Sequence, residues 1–110
     1  MIVTFQSKAA GDVIMFGDVA HRLMEIMGKS PDAKGIITVE QLPDALARLR
    51  AAIADDKATL AAMGEDERPE TEKDATGHQR PWVSLSQRAT PLLELLEWAQ
   101  RKGKPVVWGV

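Results

Sequence analysis

The sequence contains no cysteine and no tyrosine. The lack of cysteine excludes a disulfide framework, a thiolate zinc site, an iron–sulfur cluster and a catalytic thiol. No stretch approaches the ~18–20 apolar residues that a membrane-spanning helix needs, and the first residues lack the basic and apolar regions of a signal peptide. We therefore expect a cytoplasmic protein without a membrane segment.

Motifs of catalytic or cofactor-binding machinery are also missing. No serine lies in a Gly-x-Ser-x-Gly elbow, and the glycines are scattered rather than clustered around a phosphate. Residues 30–41 have the spacing of a calcium-binding loop, but Lys34 replaces an oxygen donor and Gln41 replaces the bidentate glutamate. The sequence predicts no catalytic residue and no cofactor.

Basic charge is scarce as well. The net charge is −2, and the few basic side chains that gather near the C-terminal end are Arg88, Arg101, Lys102 and Lys104. A nucleic-acid-binding surface needs a more concentrated basic face than this. We therefore do not expect nucleic acid as a partner.

Both ends of the chain have the pattern of β-strands. The 110 residues, 45% of them apolar, suit a single domain over 1–110 with a buried core. In residues 2–7, Ile2 and Thr4 alternate with Val3 and Phe5, and residues 105–109 form a second β-prone segment. Two strands alone make a marginal sheet, so a third is expected from residues 36–37, residues 13–16 or a partner chain.

Three segments with helical periodicity lie between these strands. Their apolar stripes fall within residues 13–27, 42–63 and 85–102. Gly17 lies inside the first segment, so residues 13–16 form either a strand or a turn before a helix beginning at Asp18. The acidic segment at about 64–81 has no large apolar residue before Trp82, which predicts a mobile loop. The expected fold class is α+β, with a small sheet of the N- and C-terminal strands packed against three helices.

The three tryptophans are candidate interface residues. Trp98 borders the apolar stripe of its helix, and a partly exposed tryptophan at such an edge often contacts a partner. Trp82 follows the acidic segment and is placed to anchor its return to the core. Trp108 lies in the closing strand, where core packing is the first explanation.

One polar helix face is a candidate metal site. Asp18, His21 and Glu25 lie at i, i+3 and i+7, the kind of spacing that helical metal sites use. Such a site needs matching ligands from other helices, and Glu94 and Glu97 are the helical acids available. A solvated face with ordinary i,i+3 and i,i+4 pairs explains the same pattern.

Several blocks of the chain resemble a bacterial family known only as domain of unknown function 1840. The blocks that carry the resemblance are residues 4–9, 12–15, 23–29, 35–37, 83–85, 88–89, 91–93 and 106–108. The resemblance implies no activity, cofactor or catalytic residue, because the family has none assigned.

Two hypotheses about function follow. The first is a non-catalytic interaction or regulatory module, which acts as a homodimer or on another protein partner. It depends on the absence of an assembled acid, base, nucleophile and metal set, together with the apolar helices and edge tryptophans. The alternative is a small-molecule or metal-binding protein that uses the face of Asp18, His21 and Glu25.

Overall fold

The computed structural model describes the backbone of residues 1–110 and every side chain except that of Glu65. The chain forms three helices and six strands, joined by loops and two short 3-10 turns at Val39–Gln41 and Glu65–Glu67. In chain order the helices and strands are β1 (Ile2–Ser7), β2 (Ala10–Phe16), α1 (Gly17–Ile26), β3 (Gly35–Ile37), α2 (Leu42–Ala62), β4 (Thr71–Lys73), β5 (Gln79–Pro81), α3 (Leu85–Lys102) and β6 (Val106–Trp108).

The main sheet has four antiparallel strands in the order β2-β1-β6-β3. The two terminal strands pair through Phe5 with Trp108 and Gln6 with Val107, which confirms their predicted partnership. Both candidate strands within the chain join this sheet, β2 at one edge and β3 at the other. The residues before Gly17 are therefore strand rather than turn, and the sheet needs no strand from a partner chain.

The helix boundaries follow from local capping. The Oγ1 of Thr38 accepts a hydrogen bond from the Gln41 N–H, and the Gln41 side chain accepts one from the Thr38 N–H, as predicted. Ser84 and Gln87 form the same capping box at the start of α3, and Pro91 lies inside this helix. Gly103 ends α3 in a left-handed conformation (φ 63°) that glycine adopts without strain.

The core lies between the three helices and one face of the main sheet. Phe5, Ile37, Val106 and Trp108 are its fully or almost fully buried strand residues. Helix α2 contributes leucines and Ile53, and α3 packs alongside it. Asp56 interrupts the apolar stripe of α2. Its carboxylate accepts a hydrogen bond from the Ser86 N–H at 2.9 Å, which satisfies one of the free backbone donors at the start of α3.

The acidic segment contains a short hairpin that the sequence analysis did not predict. Strands β4 and β5 pair antiparallel, with Thr71 opposite Pro81 and Glu72 opposite Arg80. The prediction of a loop without secondary structure is wrong for these strands, because ion pairs supply the contacts that apolar burial does not. The predicted mobility of the segment stays a prediction.

Candidate functional site

One face of the main sheet points away from the helices, and we call it the outer face. Because side chains alternate along a strand, its members follow from the strand register. They are Ile2, Thr4, Gln6, Asp12, Ile14, Phe16, Ile36 and Val107. Ile2 and Ile14 are 63% and 65% exposed, and Phe16 and Ile36 are 51% and 43% exposed. Among these described side chains, only Asp12 carries a charge.

The two edge strands of this sheet, β2 and β3, are apolar on both faces. In β2, Val13 and Met15 pack against the core while Ile14 and Phe16 point outward. Ile36 and Ile37 repeat this arrangement in β3. A solvent-facing antiparallel sheet normally alternates apolar with polar residues, whereas continuous apolar runs are typical of sheets covered on both faces. Here the helices cover one face, and the outer face is apolar at the β2 and β3 edges, with Thr4 and Gln6 of β1 between them.

A shallow groove of about 480 Å³ runs over the outer face. Ile2, Thr4 and Ile14 contribute to its lining, together with Val110. His21 of α1 lies at the same groove, which places one of the predicted site residues at the border of the outer face. The groove is mostly apolar and open, so it suits a broad contact better than an enclosed small ligand.

The β2 edge of the sheet borders the outer face. The Gly17 N–H donates to the Met1 carbonyl at 2.8 Å. Since hydrogen bonding alternates along an antiparallel pair, the backbone groups of Ile14 point away from β1. An edge strand of seven residues without lysine, arginine or proline is open to pairing, whereas β3 has three residues and follows Lys34.

The three tryptophans have different surroundings. Trp98 is 46% exposed on α3, with Arg101 and Lys102 at 5.2 and 5.3 Å from the centre of its ring. Trp82 is half-buried beside a polar cleft of about 180 Å³. Trp108 is 1% exposed and packs in the core. Of the three, Trp98 is the most exposed, and the predicted interface role of the tryptophans stays a prediction.

The predicted metal-binding residues all lie on α1, but Asp18 is already engaged. Its Oδ2 accepts a hydrogen bond from Arg80 Nη2 at 2.8 Å. In the part of the chain that the structure describes, no group of three or more histidine, aspartate or glutamate side chains is placed to hold a metal. The hypothesis that Asp18, His21 and Glu25 bind a metal stays a prediction, and among the described side chains the structure does not bring further ligands to these residues.

A network of ion pairs attaches the β4–β5 hairpin to the rest of the protein. Arg80 bridges Asp18 of α1 and Glu72 of β4, and Arg88 of α3 also contacts Glu72. The Arg80 and Arg88 side chains are only 14% and 16% exposed. Arg80 also lies 5.0 Å from the centre of the Phe16 ring, so the hairpin sits at one corner of the outer face.

The ionisation of Asp18 makes this attachment sensitive to acid. Partial burial acts to raise the pKa of Asp18, but the hydrogen bond and charge of Arg80 outweigh it, so the pKa lies below its ordinary value. A carboxyl whose pKa is lower in the folded than in the unfolded protein stabilises the fold. This stabilisation is complete above the unfolded pKa of about 3.9, and it is lost as the pH falls through the pKa of the folded protein.

We expect the hairpin to loosen progressively as the pH falls below about 4 and through the lowered pKa of Asp18, because protonation of this carboxyl weakens its ion pair with Arg80. Amide hydrogen exchange measured between pH 6 and pH 3, and corrected for the intrinsic rate, should show protection of β4 and β5 falling before that of β1. The variant Asp18→Asn should have weak protection already at pH 6. Equal protection of the hairpin in the variant and in the parent protein would contradict this assignment.

Comparison with known proteins assigns the chain to a family. A family model described as Domain of unknown function (DUF1840) matches residues 1–108. The chain belongs to this family. No curated protein and no solved structure matches the chain.

The match to the DUF1840 family covers every strand of the main sheet, and thus the whole outer face. In the described residues of this family member, no helix is long and apolar enough to cross a membrane. The strongest functional feature that remains is the uncovered apolar face, which the sequence analysis did not single out. The signal for it was present in β2, where Val13 to Phe16 are apolar without alternation.

Proposed function

We propose that this DUF1840 protein is a non-catalytic interaction module that binds another polypeptide through its outer face. The observation that carries the proposal is the two-sided apolar character of the edge strands β2 and β3, with Ile14 and Ile36 at opposite edges both pointing to solvent. The largest exposed apolar patch of a monomeric protein typically covers about 300–600 Å² and is often a functional surface.

Burial of the exposed apolar side chains gives a moderate driving force for association. At ~150–200 Å² for each large apolar residue, the exposed fractions of Ile2, Ile14, Phe16 and Ile36 amount to roughly 400 Å². Burying that area contributes about 10 kcal/mol at 25 cal/mol per Å². Association costs about 4–15 kcal/mol in lost translational and rotational freedom. The outer face therefore needs the contacts around its rim as well as its centre to give stable binding.

Site-specific photo-cross-linking tests the proposal without assuming a partner. A benzophenone amino acid is placed at position 14, in the cells that make the protein, and matched with the same group at position 39. Val39 is also an exposed apolar residue (37%), but it lies in a 3-10 turn outside the outer face.

The expected result is a covalent adduct from position 14 that is absent from position 39. Introducing Ile36→Lys at the far edge of the same face should abolish the adduct, because a buried ammonium without a partner opposes association. No adduct from position 14, or the same adducts from both positions, would overturn the proposal.

A further inference from the structure

We infer that the outer face is covered by a second copy of this chain, with the two four-stranded sheets stacked face to face. The inference rests on the proposed function and names its partner. Stacked sheets lie about 10 Å apart, with their strands inclined by about 30°. A two-fold axis within the interface brings the same residues of both copies into contact, so the surface must be complementary to itself.

The area of the face suits such a dimer. The exposed apolar strand residues Ile2, Ile14, Phe16 and Ile36 supply roughly 400 Å² per copy, at ~150–200 Å² per large side chain. Thr4, Gln6 and Val107 add to this, so the face provides more than half of the ~800 Å² per partner of a standard interface.

The charge distribution permits self-association. The one charged side chain of the outer face, Asp12, lies on edge strand β2 rather than at the centre. The two-fold axis of the stacked dimer can run parallel to the strands or across them. With an axis parallel to the strands, β2 of one copy lies over β3 of the other. With an axis across the strands, Asp12 of one copy lies over Phe16 of the other. In either case the two aspartates are separated by on the order of 13 Å, from strand spacing or residue rise. Asp12 is exposed at the edge of the sheet, so its carboxylate stays hydrated at the rim of the interface. There the separation exceeds the ~8–10 Å screening length of physiological salt, and the two aspartates repel each other little.

Pairing of two β2 edges is the main competing arrangement, and it accounts for less of the surface. A groove of about 330 Å³ lies beside this edge, lined by Ile14 and Phe16 of β2 and by Gln87 and Pro91 of α3, and edge pairing would use the apolar residues of this edge alone. Edge pairing also leaves Ile36, at the opposite edge of the sheet, in solvent. Face-to-face stacking covers both edges at once.

The test is the mass of the purified protein by sedimentation equilibrium from about 1 to 100 µM. We expect twice the 12.0 kDa of the chain at the upper concentrations. Ile14→Lys and Ile36→Lys should each raise the dissociation constant at least ~30-fold, because each buries an unpaired charge. Val39→Lys adds the same charge outside the face and should leave the mass unchanged. If a lysine variant does not fold, Ile14→Thr and Ile36→Thr replace it.

The outcomes separate this inference from the proposed function. If the protein stays monomeric at 100 µM, the partner is not a second copy of this chain. If position 14 then gives an adduct whose mass differs from that of a homodimer, the proposed interaction with another polypeptide still holds. A dimer that Ile14→Lys breaks and Ile36→Lys leaves intact overturns stacking in favour of edge pairing. A monomer with no adduct from position 14 overturns both proposals.

Discussion

Replacement of Trp108 by alanine is expected to lower the free energy of unfolding by about 3–5 kcal/mol. The indole is 1% exposed and its ring lies 5.7 Å from that of Phe5, so its removal leaves a large cavity between β6 and β1. Its Nε1–H also donates to the Asp32 carbonyl at 2.9 Å, which holds the loop before β3. Urea-induced unfolding at fixed protein concentration measures the effect.

Trp98→Ala is the matched control for this substitution. It removes the same side chain from a site that is 46% exposed, where the loss should be about 1 kcal/mol or less. Trp108→Phe keeps an aromatic ring but loses the hydrogen bond to Asp32, and its cost should lie between the two alanine variants. A cost for Trp98→Ala equal to that for Trp108→Ala would contradict the assignment of Trp108 to the core.

Gly35→Ala is expected to cost about 1–3 kcal/mol, although it adds only one methyl group. A Cβ at Gly35 would overlap the indole of Trp108, the partner of Gly35 across the β3–β6 pair. The indole is hydrogen-bonded and enclosed, so it has little room to move aside. Thermal and urea unfolding should both report the loss.

A double variant separates this clash from any backbone effect. In a Trp108→Ala background, Gly35→Ala should cost less than about 0.5 kcal/mol, because the overlapping ring is gone. Gly11→Ala offers a matched control, since nothing lies within 4 Å of a Cβ built there, and it should change stability by no more than about 0.5 kcal/mol. Additive costs for Gly35→Ala and Trp108→Ala would contradict the clash.

Much of the fold could be predicted because its signals are local. The helix ends at Gly28 and Gly103, and the capping box of Thr38, depend on residues only a few positions apart. For the start of α3 the sequence allows two interpretations of Pro91, because this proline either lies inside the helix or begins its main part with Thr90 as the cap. In the structure Pro91 lies inside α3, which begins at Leu85 after the Ser84 cap. The position at which this helix begins depends on what its first turn packs against.

The candidate site was harder to predict for a different reason. In the sequence, Trp98 and the helix face of Asp18, His21 and Glu25 stand out as candidates, whereas in the structure the outer face is the more prominent feature. Ile2 and Ile14 belong to one surface only through the pairing of β1 with β2, and Ile36 joins it only through β6. Strand order is a non-local property, and no short-range pattern encodes it.

The same limit applies to the β4–β5 hairpin. Its residues lack the apolar content that predicts order, and Glu72 and Arg80 have no local signature of pairing. Arg80 meets Asp18 across 62 positions of the chain. Ion pairs of this kind form only after the core has brought their elements together.

By itself, the sequence determined the α+β class, the strand character of both chain ends, the three helices and the exclusion of thiol chemistry. These follow from composition and from periodicities of two and 3.6 residues, which act over short distances. Only the tertiary structure decided which strand faces share a surface, and that Ile14 and Phe16 lie on the side the helices leave uncovered. The reason is that the helices of this chain can bury one face of its sheet, while β2 is apolar on two.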